Sequence, residues 1–201
     1  MIRTTLLVGA SALLLVACQQ KDEVATAADP GASNAAVNAA QDATSAAVGA
    51  TSAATLGQVS TEAFVTNAAI SDLYEIQAGQ IAQAKGQAAG VKAFGKMMVA
   101  DHTALAAAMN PLVATAGVTP PTGLDERRKG LIDNLNAAAP ADFDKVYLAQ
   151  QTAAHDEALA LMRGYSENGD NAALKDAAAK AAPKIQAHLT HVSELSAGSG
   201  R

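Results

Sequence analysis

The sequence predicts an all-α fold, a bundle of four long helices, and two observations carry that prediction. Hydrophobic residues make up 50% of the 201 residues, yet aromatic residues make up only 3% and tryptophan is absent. Most of the apolar content is alanine, which favours helix and lets helices approach closely. Four segments also repeat apolar residues at helical spacing, and runs of strand type are missing.

Residues 1–17 are predicted to be a lipoprotein signal peptide. Arg3 supplies a short positive region, and an apolar run follows that is too short to span a bilayer. The run closes with Leu15-Val16-Ala17-Cys18, which has the form of a lipobox and contains the only cysteine of the chain. The alternative is an ordinary signal peptide that happens to end near a cysteine. The lipobox predicts lipid attachment at Cys18, which makes the membrane a partner through a stable anchor of several acyl chains.

Residues 18–59 are predicted to form a flexible Ala/Ser/Thr-rich tether, because their large apolar residues are too sparse to build a core. Gln19 follows the lipobox cysteine, where bacterial sorting patterns of this kind place aspartate in proteins retained in the inner membrane. We therefore expect the outer membrane, with the protein facing the periplasm, rather than the inner membrane. The formal net charge of -5 provides no basic field, so no nucleic-acid partner is predicted.

The helical domain is predicted over residues 60–196. Its first helix begins at Ser60 or Thr61, either of which can cap it. The second helix runs from Val91 toward Gly117, a short helix follows within residues 124–136, and the last two long helices are predicted at 141–167 and 171–195. Pro111 and Pro183 are expected to bend the second and fourth long helices.

The connections between the long helices are short, long and short in turn. Short links make the flanking helices antiparallel, whereas the middle link, residues 118–140, is long enough to run the length of the bundle. That pattern favours a ferritin-like four-helix bundle with a long crossover containing a short helix. The alternative is an up-down-up-down bundle whose middle link caps one end.

Three histidines fall on the apolar faces of three different helices, and a glutamate lies near the face of the first helix. Imidazole and carboxylate groups that meet in a bundle core suit zinc, iron, manganese or copper. One hypothesis is therefore a transition-metal site formed by Glu75, His102, His155 and His188. The residues expected around these ligands are Asp101, Asp144 and Tyr147.

The other interpretation treats the histidines as neutral core residues that donate to carboxylates such as Glu75 and Asp101. It is favoured at this point, because di-iron bundles place a carboxylate three residues before each histidine. Here those positions hold Val99, Thr152 and Ile185. Imidazoles more than about 8 Å apart would exclude a shared ion, since metal–nitrogen bonds are about 2 Å long. No nucleophile-elbow serine is present, and lipidation consumes the cysteine thiol, so no catalytic residue is predicted.

Several segments together resemble the bacterial envelope family called domain of unknown function 4142. They are Phe64-Val65 with Glu75, the run 91–94 leading to 98–102, the run 143–147 with His155, and finally Pro183 and His188. The resemblance covers about residues 60–195, although Pro111 is not part of the family pattern. It implies a ferritin-like fold and an envelope location, and it implies no activity.

Two functions follow from the sequence. The first is a membrane-anchored envelope lipoprotein whose helical domain has a binding or structural role, without a defined catalytic activity or a certain cofactor. The second is a periplasmic ferritin-like protein that binds a transition metal ion, or acts in redox chemistry, through core histidine and glutamate ligands.

Overall fold

The computed structural model describes residues 60–199. The predicted signal peptide, the lipid site at Cys18 and the tether lie outside these residues and stay predictions. Five helices form the described chain: α1 (Thr61–Lys85), α2 (Ala89–Thr115), α3 (Glu126–Ala137), α4 (Pro140–Asn168) and α5 (Ala172–Ser199). The prediction of an all-α helical bundle is confirmed, whereas the likeness to ferritins in particular stays a prediction. Between residues 60 and 199, no helix is both long and apolar enough to cross a membrane.

The helix ends follow local capping chemistry. The Ser60 hydroxyl accepts a hydrogen bond from the amide of Ala63 at 3.3 Å, so α1 begins where the sequence predicted. Asp125 caps α3 in the same way, accepting from the amide of Arg128 at 2.7 Å. After α2 the chain turns at Gly117, whose φ of 70° suits a residue without a side chain.

Two hydrophobic clusters define the two ends of the bundle and the direction of each helix. At one end the starts of α1 and α5 meet the ends of α2 and α4, through buried residues that include Phe64, Val113, Tyr165 and Leu174. At the other end the remaining helix termini meet α3, through Ala82, Phe94, Leu135, Phe143 and Val192. Helices α2 and α4 are therefore parallel, and the connection between them traverses the bundle.

Charged side chains hold the short helix α3, which lies within that connection, against α1 and α4. Arg127 and Arg128 both donate to the carboxylate of Glu157 on α4, at distances from 2.8 to 3.1 Å. Lys85, at the end of α1, donates to the carbonyl oxygens of Leu135 and Asn136, at 3.0 and 2.6 Å. A cation is favourable at this terminus, because the last carbonyls of a helix have no partner within it.

Two glycines set the register between α1 and α2. A β-carbon on Gly79 would lie 2.6 Å from the carbonyl oxygen of Gly95, and one on Gly95 would lie 2.7 Å from the carbonyl oxygen of Gly79. The two backbones can approach this closely because neither residue carries a side chain. Because the helices are antiparallel, Asp72, seven residues before Gly79 on α1, lies opposite His102, seven residues after Gly95 on α2.

Candidate metal centre

The three histidines predicted from the sequence meet in the middle of the bundle. His102 of α2, His155 of α4 and His188 of α5 are each at most 2% exposed. Their ring centroids are 5.8, 5.5 and 5.3 Å apart, and one ring nitrogen from each lies within 4.8 Å of those of the other two. These separations are well below about 8 Å, the distance beyond which the three imidazoles could not share an ion.

Each ring is fixed by a hydrogen bond from one of its two nitrogens. His102 Nδ1 donates to Asp72 Oδ1 at 2.8 Å, and His188 Nε2 donates to Asp101 Oδ2 at 2.8 Å. His155 Nδ1 donates to the backbone carbonyl of Gln151, one turn earlier on α4, at 2.9 Å. Because carboxylates and carbonyls only accept hydrogen bonds, these contacts assign the proton of each neutral ring to the bonded nitrogen.

The second nitrogen of each ring has no such bond. His102 Nε2, His155 Nε2 and His188 Nδ1 are buried and have no hydrogen-bond partner among residues 60–199. In a neutral imidazole that donates through one nitrogen, the other nitrogen carries a lone pair. Buried polar atoms are rarely left unpaired. When all three rings are neutral, these nitrogens are three ligand atoms that one metal ion could bind.

Burial keeps two of the three rings neutral. It lowers the pKa of His155 to about 3, helped by the nearby charge of His102. It also lowers the pKa of His188 to about 4, although the bond to Asp101 opposes that change. For His102, burial is outweighed by the bond to Asp72 and by the charge of Glu75, so its pKa is raised above the ordinary value. Neutral imidazole is the form that binds a metal.

Glu75 lies beside this group on α1 and is almost fully buried, which raises the pKa of its carboxyl. Its Oε2 accepts from the side-chain amide of Gln151 at 2.7 Å, and its Oε1 is 3.7 Å from His155 Nδ1. That nitrogen is the one bonded to a carbonyl, so the carboxylate stands behind the ring of His155. The ligand atoms that converge belong to the three histidines, and the role of Glu75 as a further ligand stays a prediction.

The three residues expected around the ligands occupy different places. Asp101 contacts His188, not its sequence neighbour, and also accepts from Lys184 at 3.0 Å. Tyr147 is fully buried about two turns before His155 on α4, and burial and the charge of Glu75 raise its pKa well above the ordinary value. Asp144 is not brought to the site: it accepts from the amides of Gln87 and Ala88, each at 2.8 Å, and so caps the start of α2.

The sequence interpretation missed Asp72, the carboxylate that holds His102. The sequence had suggested Glu75 and Asp101 as the carboxylate partners of the histidines, whereas His102 bonds to Asp72 of the facing helix. One signal was present: Asp72 precedes Glu75 by three residues, so both carboxylates lie on the same face of α1. Two acids on an otherwise apolar face, opposite helices that carry histidines, indicate polar partners in the core.

Comparison with known proteins gives one assignment. A family model described as "Domain of unknown function (DUF4142)" matches residues 43–195, which is more than half of the chain. No curated protein and no solved structure matches the chain significantly. The matched range contains all three histidines and the carboxylates that hold them. The chain belongs to the DUF4142 family.

Proposed function

We propose that this helical domain binds one transition-metal ion through His102 Nε2, His155 Nε2 and His188 Nδ1. The observation that carries the proposal is a group of three adjacent buried histidines, each with one ring nitrogen bonded and the other without a partner among residues 60–199. A core of histidines that served packing alone would direct these lone pairs toward donors. Here no donor among residues 60–199 bonds to these three nitrogens, and one nitrogen of each ring lies within 4.8 Å of those of the other two rings.

The geometry is close to that of a three-histidine site. Histidine–metal bonds are about 2.0–2.1 Å long, so three nitrogens around one ion stand roughly 3.4 Å apart. One nitrogen of each ring lies within 4.8 Å of those of the other two rings, so the rings would have to move closer together to bind one ion. The carboxylates of Asp72 and Asp101 behind two of the rings orient them and increase their basicity, as the outer partners of metal-bound histidines do.

The ligand chemistry favours zinc, copper, iron or nickel over magnesium and calcium. Imidazole suits the first group, whereas the second prefers oxygen ligands. Three protein ligands leave at least one coordination position for water or a small molecule. An ion in this place would also join α2, α4 and α5, so binding would stabilise the folded domain.

The test is metal uptake by protein purified without chelator and then loaded with Co²⁺. We expect one ion per chain by elemental analysis, and visible absorption bands in the range typical of nitrogen-ligated cobalt. The melting temperature should rise on loading and fall again after chelation. Absence of stoichiometric uptake, with no change in melting temperature at millimolar Co²⁺, would refute the proposal.

We propose further that the domain is held in the cell envelope by lipid on Cys18, at the outer membrane and facing the periplasm. The support is the lipobox in the sequence, residues 15–18, and the glutamine that follows it. Labelled fatty acid is expected to be incorporated into the unmodified protein but not into the Cys18→Ser variant, and the unmodified protein should fractionate with the outer membrane. An unmodified protein that carries no acyl chain would contradict the anchor.

A further inference from the structure

An elongated cavity opens between α2 and α5, next to the histidine group. Its volume is about 480 Å³, and its floor reaches α1 and α4. Small-molecule sites in proteins typically have volumes of about 300–1,000 Å³ and are lined mainly by apolar groups with a few convergent polar atoms. This cavity meets both criteria.

The walls are apolar along most of the length. Leu105, Met109 and Leu112 of α2 face Met162 of α4 and Ile185 of α5. From His102 to Leu112 the helix rises by roughly 15 Å, so the space suits a chain rather than a compact ring. The width comes from alanines, Ala108 on α2 and Ala173, Ala177 and Ala181 on α5.

The deep end of the cavity is polar and carries a carboxylate. Asp72 lines it, and its side chain keeps 14% of its surface exposed although Oδ1 accepts from His102. The second oxygen, Oδ2, makes no hydrogen bond to residues 60–199 and is not enclosed. A carboxylate oxygen in this position accepts from a donor, and a positively charged donor gives the stronger bond.

Charges at the rim do not favour an anion. Asp176 and Lys180 have opposite signs and stand one turn apart on α5. The ammonium of Lys184, which also lines the cavity, is already bonded to Asp101 at 3.0 Å. The carboxylate of Asp72 is the charged group at the deep end, whereas the charges of Asp176 and Lys180 lie at the rim.

We propose that this cavity binds an amphipathic monoamine. Its ammonium group donates to Asp72 Oδ2, and its hydrocarbon chain lies along Leu105, Met109 and Met162. The site goes beyond metal binding and does not require an ion, because the convergent nitrogens of the three histidines are shielded from the cavity.

The test is calorimetric titration, in the presence of chelator, of the mature chain from residue 18 onward with Cys18→Ser, so that neither the signal peptide nor the lipid makes detergent necessary. The ligands are butylamine, hexylamine, octylamine and decylamine. Affinity is expected to rise about fourfold per added methylene until the cavity is filled. Octanol and octanoate should bind about tenfold or more weakly than octylamine, because neither offers a charged donor to Asp72.

Three substitutions separate the cavity from general adsorption of amines. Asp72→Asn should weaken octylamine binding about tenfold and leave octanol binding unchanged. Ala108→Trp should abolish octylamine binding by filling the cavity, whereas Ala107→Trp, one residue away and outside the cavity, should not. If Ala108→Trp fails to fold, Ala177→Leu replaces it.

Affinity that does not depend on chain length, octanoate binding as strong as octylamine binding, or cavity-filling variants that bind normally would each overturn the proposal. Because the titration uses metal-free protein, its failure is distinct from a failure to take up cobalt. A variant such as His188→Gln, whose ring does not line the cavity, should still bind octylamine even if its metal uptake is lost.

Discussion

Replacing His155 by glutamine is expected to lower the affinity for Co²⁺ more than about a hundredfold. Removing an outer partner of a metal ligand typically costs 10–100-fold in affinity, and removing a ligand costs more. Glutamine keeps most of the volume and can still donate to the carbonyl of Gln151, so the fold should survive. Competition with a chromophoric chelator measures the affinity, and the far-ultraviolet circular dichroism of the variant checks its helix content.

His191 provides the matched control. It lies on α5 three residues after His188, and its ring contacts Phe94 at a centroid distance of 5.3 Å. It does not belong to the group whose nitrogens converge. His191→Gln should therefore bind Co²⁺ with the affinity of the unmodified protein. Equal losses in the two variants, or no loss in His155→Gln, would mean that the three buried histidines do not hold the ion.

The metal-free domain is expected to lose roughly 3 kcal/mol of unfolding free energy between pH 6.5 and pH 4.5. Above the unfolded-state pKa of about 6.5, His155 and His188 are neutral in both states and contribute nothing to the pH dependence. Below pH 6.5 both histidines are protonated in the unfolded chain. In the folded domain they stay neutral down to their lowered pKa values, about 3 for His155 and about 4 for His188. Each group alone can contribute about 1.4 kcal/mol per pH unit in this window.

Other groups at the site reduce that slope or act outside the window. The raised pKa of His102 means that its stabilising contribution is present below pH 6.5 and is lost as pH rises through its folded-state value. Burial raises the pKa values of Asp72 and Glu75, so their uptake of protons partly offsets the loss at low pH. Because of this offset, the expected loss of unfolding free energy, roughly 3 kcal/mol, is smaller than the sum of the losses from two histidines acting alone.

Urea denaturation in chelator at several pH values measures the effect. In His155→Gln the slope between pH 6 and pH 5 should decrease by about one proton. Saturating Co²⁺ should deepen the pH dependence, since protons compete with the ion for the same nitrogens. A stability that is independent of pH between 7.5 and 4.5 would contradict the neutral, buried state of these rings.

The fold was largely predictable because each helix carries its own local signals. The cap at Ser60, the turn at Gly117 and the apolar spacing of the long helices depend on residues close in sequence. The final helix was expected to end near residue 195, but α5 continues to Ser199. Helix ends are set by weak and local preferences, which makes such differences common.

The candidate site was predictable only in part, because its contacts join residues that are far apart in the chain. Helical spacing placed His102, His155 and His188 on apolar faces, but it carries no information on the rotation of one helix against another. The bond between Asp72 and His102 depends on the close approach of Gly79 and Gly95. Hydrogen-bond partners such as these depend on the register between two helices. The spacing of residues within one helix carries no information on that register.

The parallel course of α2 and α4 has a mechanical consequence. Because an odd number of bundle-length passes separates the first and last described residues, Ser60 and Ser199 lie at opposite ends, roughly 40 Å apart. A force applied between these two points acts along the helix axes, so the helices must slide past one another rather than peel apart one at a time. Sliding requires the contacts along their whole length to break together, including the layer where the three imidazoles meet.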